Sequence, residues 1–76
     1  MLFMIRLENI KRTDEYISAD YEFDYDSKAG TIRVKLSDGS AELNGDTGYG
    51  WSHARDALLD LAKKEKIPSS YTVMWY

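Results

Sequence analysis

Three glycines, Gly45, Gly48 and Gly50, precede the helix-like stretch "WSHARDALLDL". Glycine-rich loops at helix starts can cradle phosphate through free backbone amides. A phosphate loop also needs a buried strand before it and a lysine or acidic partner at fixed spacing. "GDTGYG" has no lysine, carries Asp46, which repels phosphate, and fits neither G-x-G-x-x-G nor the Walker pattern. It reads as a turn from sheet to helix, and no cofactor is expected. His53 is the only histidine and there is no cysteine. Zinc and nucleophilic triads therefore lack their ligand sets, and Ser52 beside His53 is explained as a helix N-cap.

A second constellation is the alternating acidic ladder Asp20, Glu22, Asp24 and Asp26. "DYDSKAG" resembles the opening of a calcium loop, but Lys28 and Ala29 occupy the positions that need an oxygen ligand and glycine. Lys35 stands where the twelfth-position glutamate belongs. Carboxylates on an open sheet face opposite cations have little reason to titrate high, so acid–base work is not expected of them. They read as a solvated face that fixes strand register. The functional alternative is an acidic docking surface that mimics nucleic-acid phosphates. Tyr21, Phe23 and Tyr25 share a face with aliphatic residues and read as core, not as a base-stacking platform.

The elements that position these residues follow from periodicity. Residues 2–10, 16–26, 31–37 and 40–44 alternate as strands, residues 52–66 carry a helical apolar stripe, and residues 71–76 form a β-branched and aromatic last strand. Ala54, Leu58, Leu61 and Ala62 make the stripe, widened by Leu59 or Ala57. Asp60 and Lys64 are spaced as an i, i+4 pair, and Pro68 closes the helix. The fold class is α+β: an antiparallel β-sheet in the order β-β-β-β-α-β, with one helix packed on its apolar face. "KRTD" breaks the first strand, "SKAG" turns the second into the third, and Asp38-Gly39 predicts a tight hairpin with positive φ at Gly39. Pairing Asp26 with Thr31 puts Tyr21 opposite Leu36, Asp24 opposite Arg33 and Glu22 opposite Lys35. The second hairpin pairs Val34 with Leu43 and sets Lys35 between Glu22 and Glu42.

Composition bounds the rest. Seventy-six residues make a single small domain, residues 1–76, with little room for a water-excluding active site. The net charge of −3 argues against direct nucleic-acid binding. The absence of cysteine favours a cytoplasmic location for so small a domain. No membrane-spanning run is present. Six tyrosines and two tryptophans are a surplus of aromatic surface. The closing strand runs back along the helix, which brings Trp75 and Tyr76 toward Tyr49, Trp51 and His53 at one pole. That pole is either a hydrophobic plug or an aromatic docking patch. An exposed edge strand also permits a homodimer by edge pairing.

The segments "IRLENIK", "HARDALLDLAKKEKIP" and "VMWY" resemble short uncharacterised bacterial proteins that end in an aromatic pair after an "I-P" turn. That family implies no function. "GDTGYGWSHARDAL" resembles in part the sheet-to-helix turn of HicB-type antitoxins, departing from it by the inserted "GYGWS". This second likeness implies a protein-binding module. The expected function is a small non-catalytic protein-interaction or regulatory module of unknown partner. The alternative is an acidic inhibitor or mimic that binds a nucleic-acid-binding protein. A third class is a small enzyme or anion-binding protein.

Overall fold

A computed structural model describes residues 3–24, 29–45 and 50–75, with Trp75 described by its backbone alone. The elements are β1 (Phe3–Arg12), β2 (Tyr16–Phe23), β3 (Ala29–Lys35), β4 (Ala41–Gly45), α1 (Trp51–Ala62) and β5 (Ser70–Trp75). The strands form one antiparallel sheet in the order β4-β3-β2-β1-β5. The first four make a meander. The chain then crosses the sheet through α1 and returns on the far side of β1. The expected fold class and element order are both observed.

Alternation produces the core because successive strand side chains point to opposite faces. Ile5 and Leu7, then Ile17, Ala19, Tyr21 and Phe23, then Ile32 and Val34 are buried on one face. Ala54, Leu58, Leu61 and Ala62 of α1 cover them. One position departs from strict alternation. Ile10 lies in register with Met4, Arg6 and Glu8, yet it is buried. The cause is a bulge: Glu8 pairs with Asp20 and Lys11 with Ser18, so β1 holds one extra residue. Asn9 takes left-handed backbone there, with φ 52°. Its Nδ2 donates to Asp20 Oδ2 at 2.7 Å. The extra residue flips the phase and returns Ile10 to the core.

The hairpin registers correct the expected ones. Tyr21 lies opposite Gly30, not Leu36, a six-residue displacement along β3. Val34 lies opposite Ala41, not Leu43, a two-residue displacement. Both displacements are even, so every residue keeps its face, and the apolar pattern cannot distinguish these registers. Local geometry selects among them. The β3–β4 connection spans residues 36–39, where Gly39 N donates to Lys35 O and Lys35 N to Ser40 O, each at 2.8 Å. Gly39 has φ 73° as expected, but it closes a four-residue loop and not a two-residue primed turn. A Cβ on Gly30 would lie 2.1 Å from Asn44 O and 2.8 Å from the Tyr21 hydroxyl. Glycine at 30 therefore lets β4 approach and lets the buried Tyr21 ring lie across the strand.

Three boundaries also move. β1 runs through "KR" to Arg12, and the turn is residues 13–15, where the Thr13 hydroxyl accepts from the amides of Glu15 and Tyr16 at 3.3 and 3.1 Å. The helix N-cap is Gly50 at φ 85°, without a side-chain cap, and Ser52 lies inside the first turn. The helix ends at Ala62, where Lys63 and Lys64 bond back to Asp60 and Leu61 carbonyls in i−3 fashion. That tightening removes the i, i+4 geometry of Asp60 with Lys64. Asp60 instead meets Lys63 at 4.0 Å, both well exposed.

Candidate interaction site

The acidic ladder lies on the open sheet face, but its partners come from the other side. Arg6 of β1 sits opposite Glu22. Its guanidinium is ion-paired with Glu22 and reaches Asp24 at 3.1 Å. These carboxylates hold the Arg6 pKa above its ordinary value, the hydrogen bond to Glu22 first and the Asp24 charge second. Asn9 engages Asp20, and Asp26 lies outside the described residues. The expected pairs Asp24–Arg33 and Glu22–Lys35 are replaced. Arg33 pairs with Glu42 at 2.8 Å and stacks 4.3 Å from the Tyr16 ring centre. The rest of this face carries short polar side chains, among them Ser18, Thr31 and Asn44, over shallow depressions no larger than about 320 Å³.

The expected aromatic pole is only partly described. Trp51 is half-buried and packs on the core, with the Arg55 guanidinium 5.6 Å from its ring centre. His53 is exposed on the first turn of α1. Tyr49, Tyr76 and the Trp75 side chain lie outside the described residues, as do Gly48 of the glycine loop and most of the calcium-like segment. The β5 backbone places Trp75 opposite Phe3.

A different surface emerges between α1 and β5. β5 is one edge of the sheet, paired regularly with β1 from Ser70 to Trp75. Val73 is buried beside the helix, whereas Tyr71 and Met74 are 46% and 60% exposed. A groove of about 420 Å³ runs between the two elements. Leu61 and Val73 contribute to its apolar lining, and Tyr71 and Met74 lie on the strand side. Asp56 and Asp60, one helical turn apart, line its helix side, and Lys64, just beyond the helix end, lines it as well. Beyond Tyr71 a second hollow of about 360 Å³ is lined by Ile67, Pro68 and Leu61. The sequence carried a signal for this site in the uncharged run "SYTVMW". Which strand would stand at the sheet edge was not readable from it.

The opposite edge is built differently. β4 is five residues long, carries Glu42, and ends at Gly45 with φ 106°. Charge, shortness and departure from extended backbone are the features that blunt an edge against pairing. β5, at six residues, is scarcely longer, but it carries no charge and no glycine.

Among the described residues no helix is long and apolar enough to cross a membrane. The chain matches no protein-family model, and comparison with curated proteins and with solved structures gives no match. The functional reading therefore rests on geometry.

Proposed function

We propose that this chain is a small non-catalytic protein-interaction module whose docking surface is the β5 edge together with the groove beside α1. The observation that carries the reading is the contrast between the two edges: β4 is blunted, and β5 is uncharged, regular and flanked by exposed Tyr71 and Met74. A strand edge offers unpaired N–H and C=O groups that an added extended strand satisfies, while flanking side chains select the sequence. The proposed partner is an extended, uncharged polypeptide segment. Trp51 and His53, on the first turn of α1, are proposed as an extension of this surface, with Tyr49, Tyr76 and the Trp75 side chain outside the described residues. A cytoplasmic setting suits it, and it requires no cofactor and no nucleic acid.

The acidic alternative draws less support, because Arg6 sits between Glu22 and Asp24 and offsets the charge of the ladder, and Asn9 engages Asp20. Chemical-shift mapping separates the two readings. An alternating Thr-Val hexapeptide with blocked ends is titrated into the labelled chain, and a Lys-rich peptide is titrated in parallel. Shifts from the first peptide at amides of residues 70–74, unchanged in high salt, are the expected result. Shifts centred on residues 20–24 with the basic peptide, abolished by salt, would replace this proposal with the acidic one.

A further inference from the structure

We infer that the strand β5 accepts is β5 of a second copy, paired antiparallel about a two-fold axis into one continuous sheet. This rests on the docking surface proposed above and names its occupant.

Three observations support self-pairing. First, Ser70–Trp75 contains no charge, proline, glycine or bulge, and it keeps register with β1 along its whole length. A two-fold axis brings a strand against its own residues, so any charge on it risks like-charge opposition. An uncharged strand escapes that penalty. Second, a two-fold perpendicular to the sheet preserves its faces. Tyr71 and Val73 on the helix side then meet Tyr71 and Val73 of the other copy. Ser70, Thr72 and Met74 meet their own kind on the open side. Third, the groove flank is electrically polar along its length, with Asp56 and Asp60 at one end and Lys64 at the other. An antiparallel two-fold reverses this stripe in the second copy, so the lysine end of one flank lies toward the aspartate end of the other. A parallel pairing would need a two-fold along the strands, which would place the second helix on the opposite face and keep the two stripes apart.

Asp56 has a local partner in half-buried Arg55 at 3.1 Å, and Asp60 meets Lys63 at 4.0 Å on well-exposed side chains. The Asp60 pair exchanges readily with solvent, which leaves that part of the flank able to respond to a second charge stripe. One strand edge and two groove flanks make a small interface, so the association is weak and reversible.

Sedimentation equilibrium of the full chain up to about 1 mM, the weak end of the affinity range, tests this. A monomer–dimer equilibrium is expected. Thr72→Lys, at an exposed edge position, is expected to weaken it at least about tenfold by bringing two lysines together near the axis. Circular dichroism checks that the variant stays folded. Asn44→Lys on the β4 edge is expected to leave association unchanged. Lys64→Glu should weaken it, and adding Asp56→Lys and Asp60→Lys to that variant should restore it. A monomeric wild-type chain at about 1 mM overturns the inference, as does equal loss from Asn44→Lys and Thr72→Lys, or failure of the reversed stripe to restore pairing. If the chain stays monomeric but the Thr-Val peptide still shifts residues 70–74, self-pairing fails and the docking surface stands. If neither perturbs β5, both fail.

Discussion

At the residue scale, two positions carry testable weight. Gly30 sits where a Cβ would fall 2.1 Å from a backbone oxygen that cannot move without parting β3 from β4. Gly30→Ala is therefore expected to cost about 1–3 kcal/mol through overpacking, read as a lowered urea midpoint. A midpoint equal to wild type would mean that the Gly30–Gly45 approach is absent in solution. Asp38 closes the β3–β4 loop by accepting from the amide and hydroxyl of Ser40, at 2.9 and 2.7 Å. Those two hydrogen bonds hold its carboxyl below the ordinary value. A carboxylate with a depressed folded pKa stabilises the fold above its unfolded value, near 4, and loses that contribution as pH falls through the folded one. Asp38→Asn is expected to flatten the acid limb of a stability-versus-pH curve and to leave its shape unchanged near neutrality. An unaltered acid limb would show that the Ser40 contacts do not persist.

At the element scale, the registers make opposite demands on two neighbouring cations. Had Lys35 lain between Glu22 and Glu42, reversing its charge would have been costly. It instead lies opposite Tyr16, and Arg33 faces Glu42. Lys35→Glu is accordingly expected to change stability by no more than about 0.5 kcal/mol. Arg33→Glu removes the 2.8 Å ion pair and the Tyr16 contact and sets two glutamates directly opposite each other. It is expected to cost about 1–2 kcal/mol, lessened by salt. Thermal melts of the two variants discriminate the registers, since the reverse order of effects would return the chain to the pairing expected from charge complementarity. The bulge at Asn9 belongs to the same scale, for one extra residue decides whether Ile10 or its neighbour enters the core.

At the scale of the whole molecule, α1 is the element that binds the two sides of the sheet together. It packs on β1, β2 and β3 of the meander and on β5 beyond it. Leu58 is fully buried at the centre of that layer. Leu58→Ala is expected to cost about 2–5 kcal/mol, a large part of the stability of so small a domain. Because the core is one cluster, far-ultraviolet and tryptophan signals should shift together in a single transition. Separate transitions would mean that β5 and α1 unfold independently of the meander. Among the described residues the crossover through α1 leaves β5 with no strand on its outer side, and so the docking proposal depends on that crossover.

The sequence alone determined how many elements there are, in what order, and which residues face inward, Ile10 excepted. Period-2 and helical spacing are properties of each segment by itself: Ile17, Ala19, Tyr21 and Phe23 alternate whatever they pair with, and Ala54, Leu58, Leu61 and Ala62 share a stripe wherever the helix lies. Tertiary structure alone decided what stands opposite what. Registers two or six residues apart keep the same faces, so choosing between them took the Gly30 approach, the loop at Gly39 and the bulge at Asn9. The partners of the acidic ladder followed from β1 lying beside β2, with Arg6 supplying the cation in place of Arg33 and Lys35. The exposed edge followed likewise. "SYTVMW" is strand-forming and uncharged in any context, but only its addition to the far side of β1 left its outer hydrogen-bonding groups without a strand among the described residues.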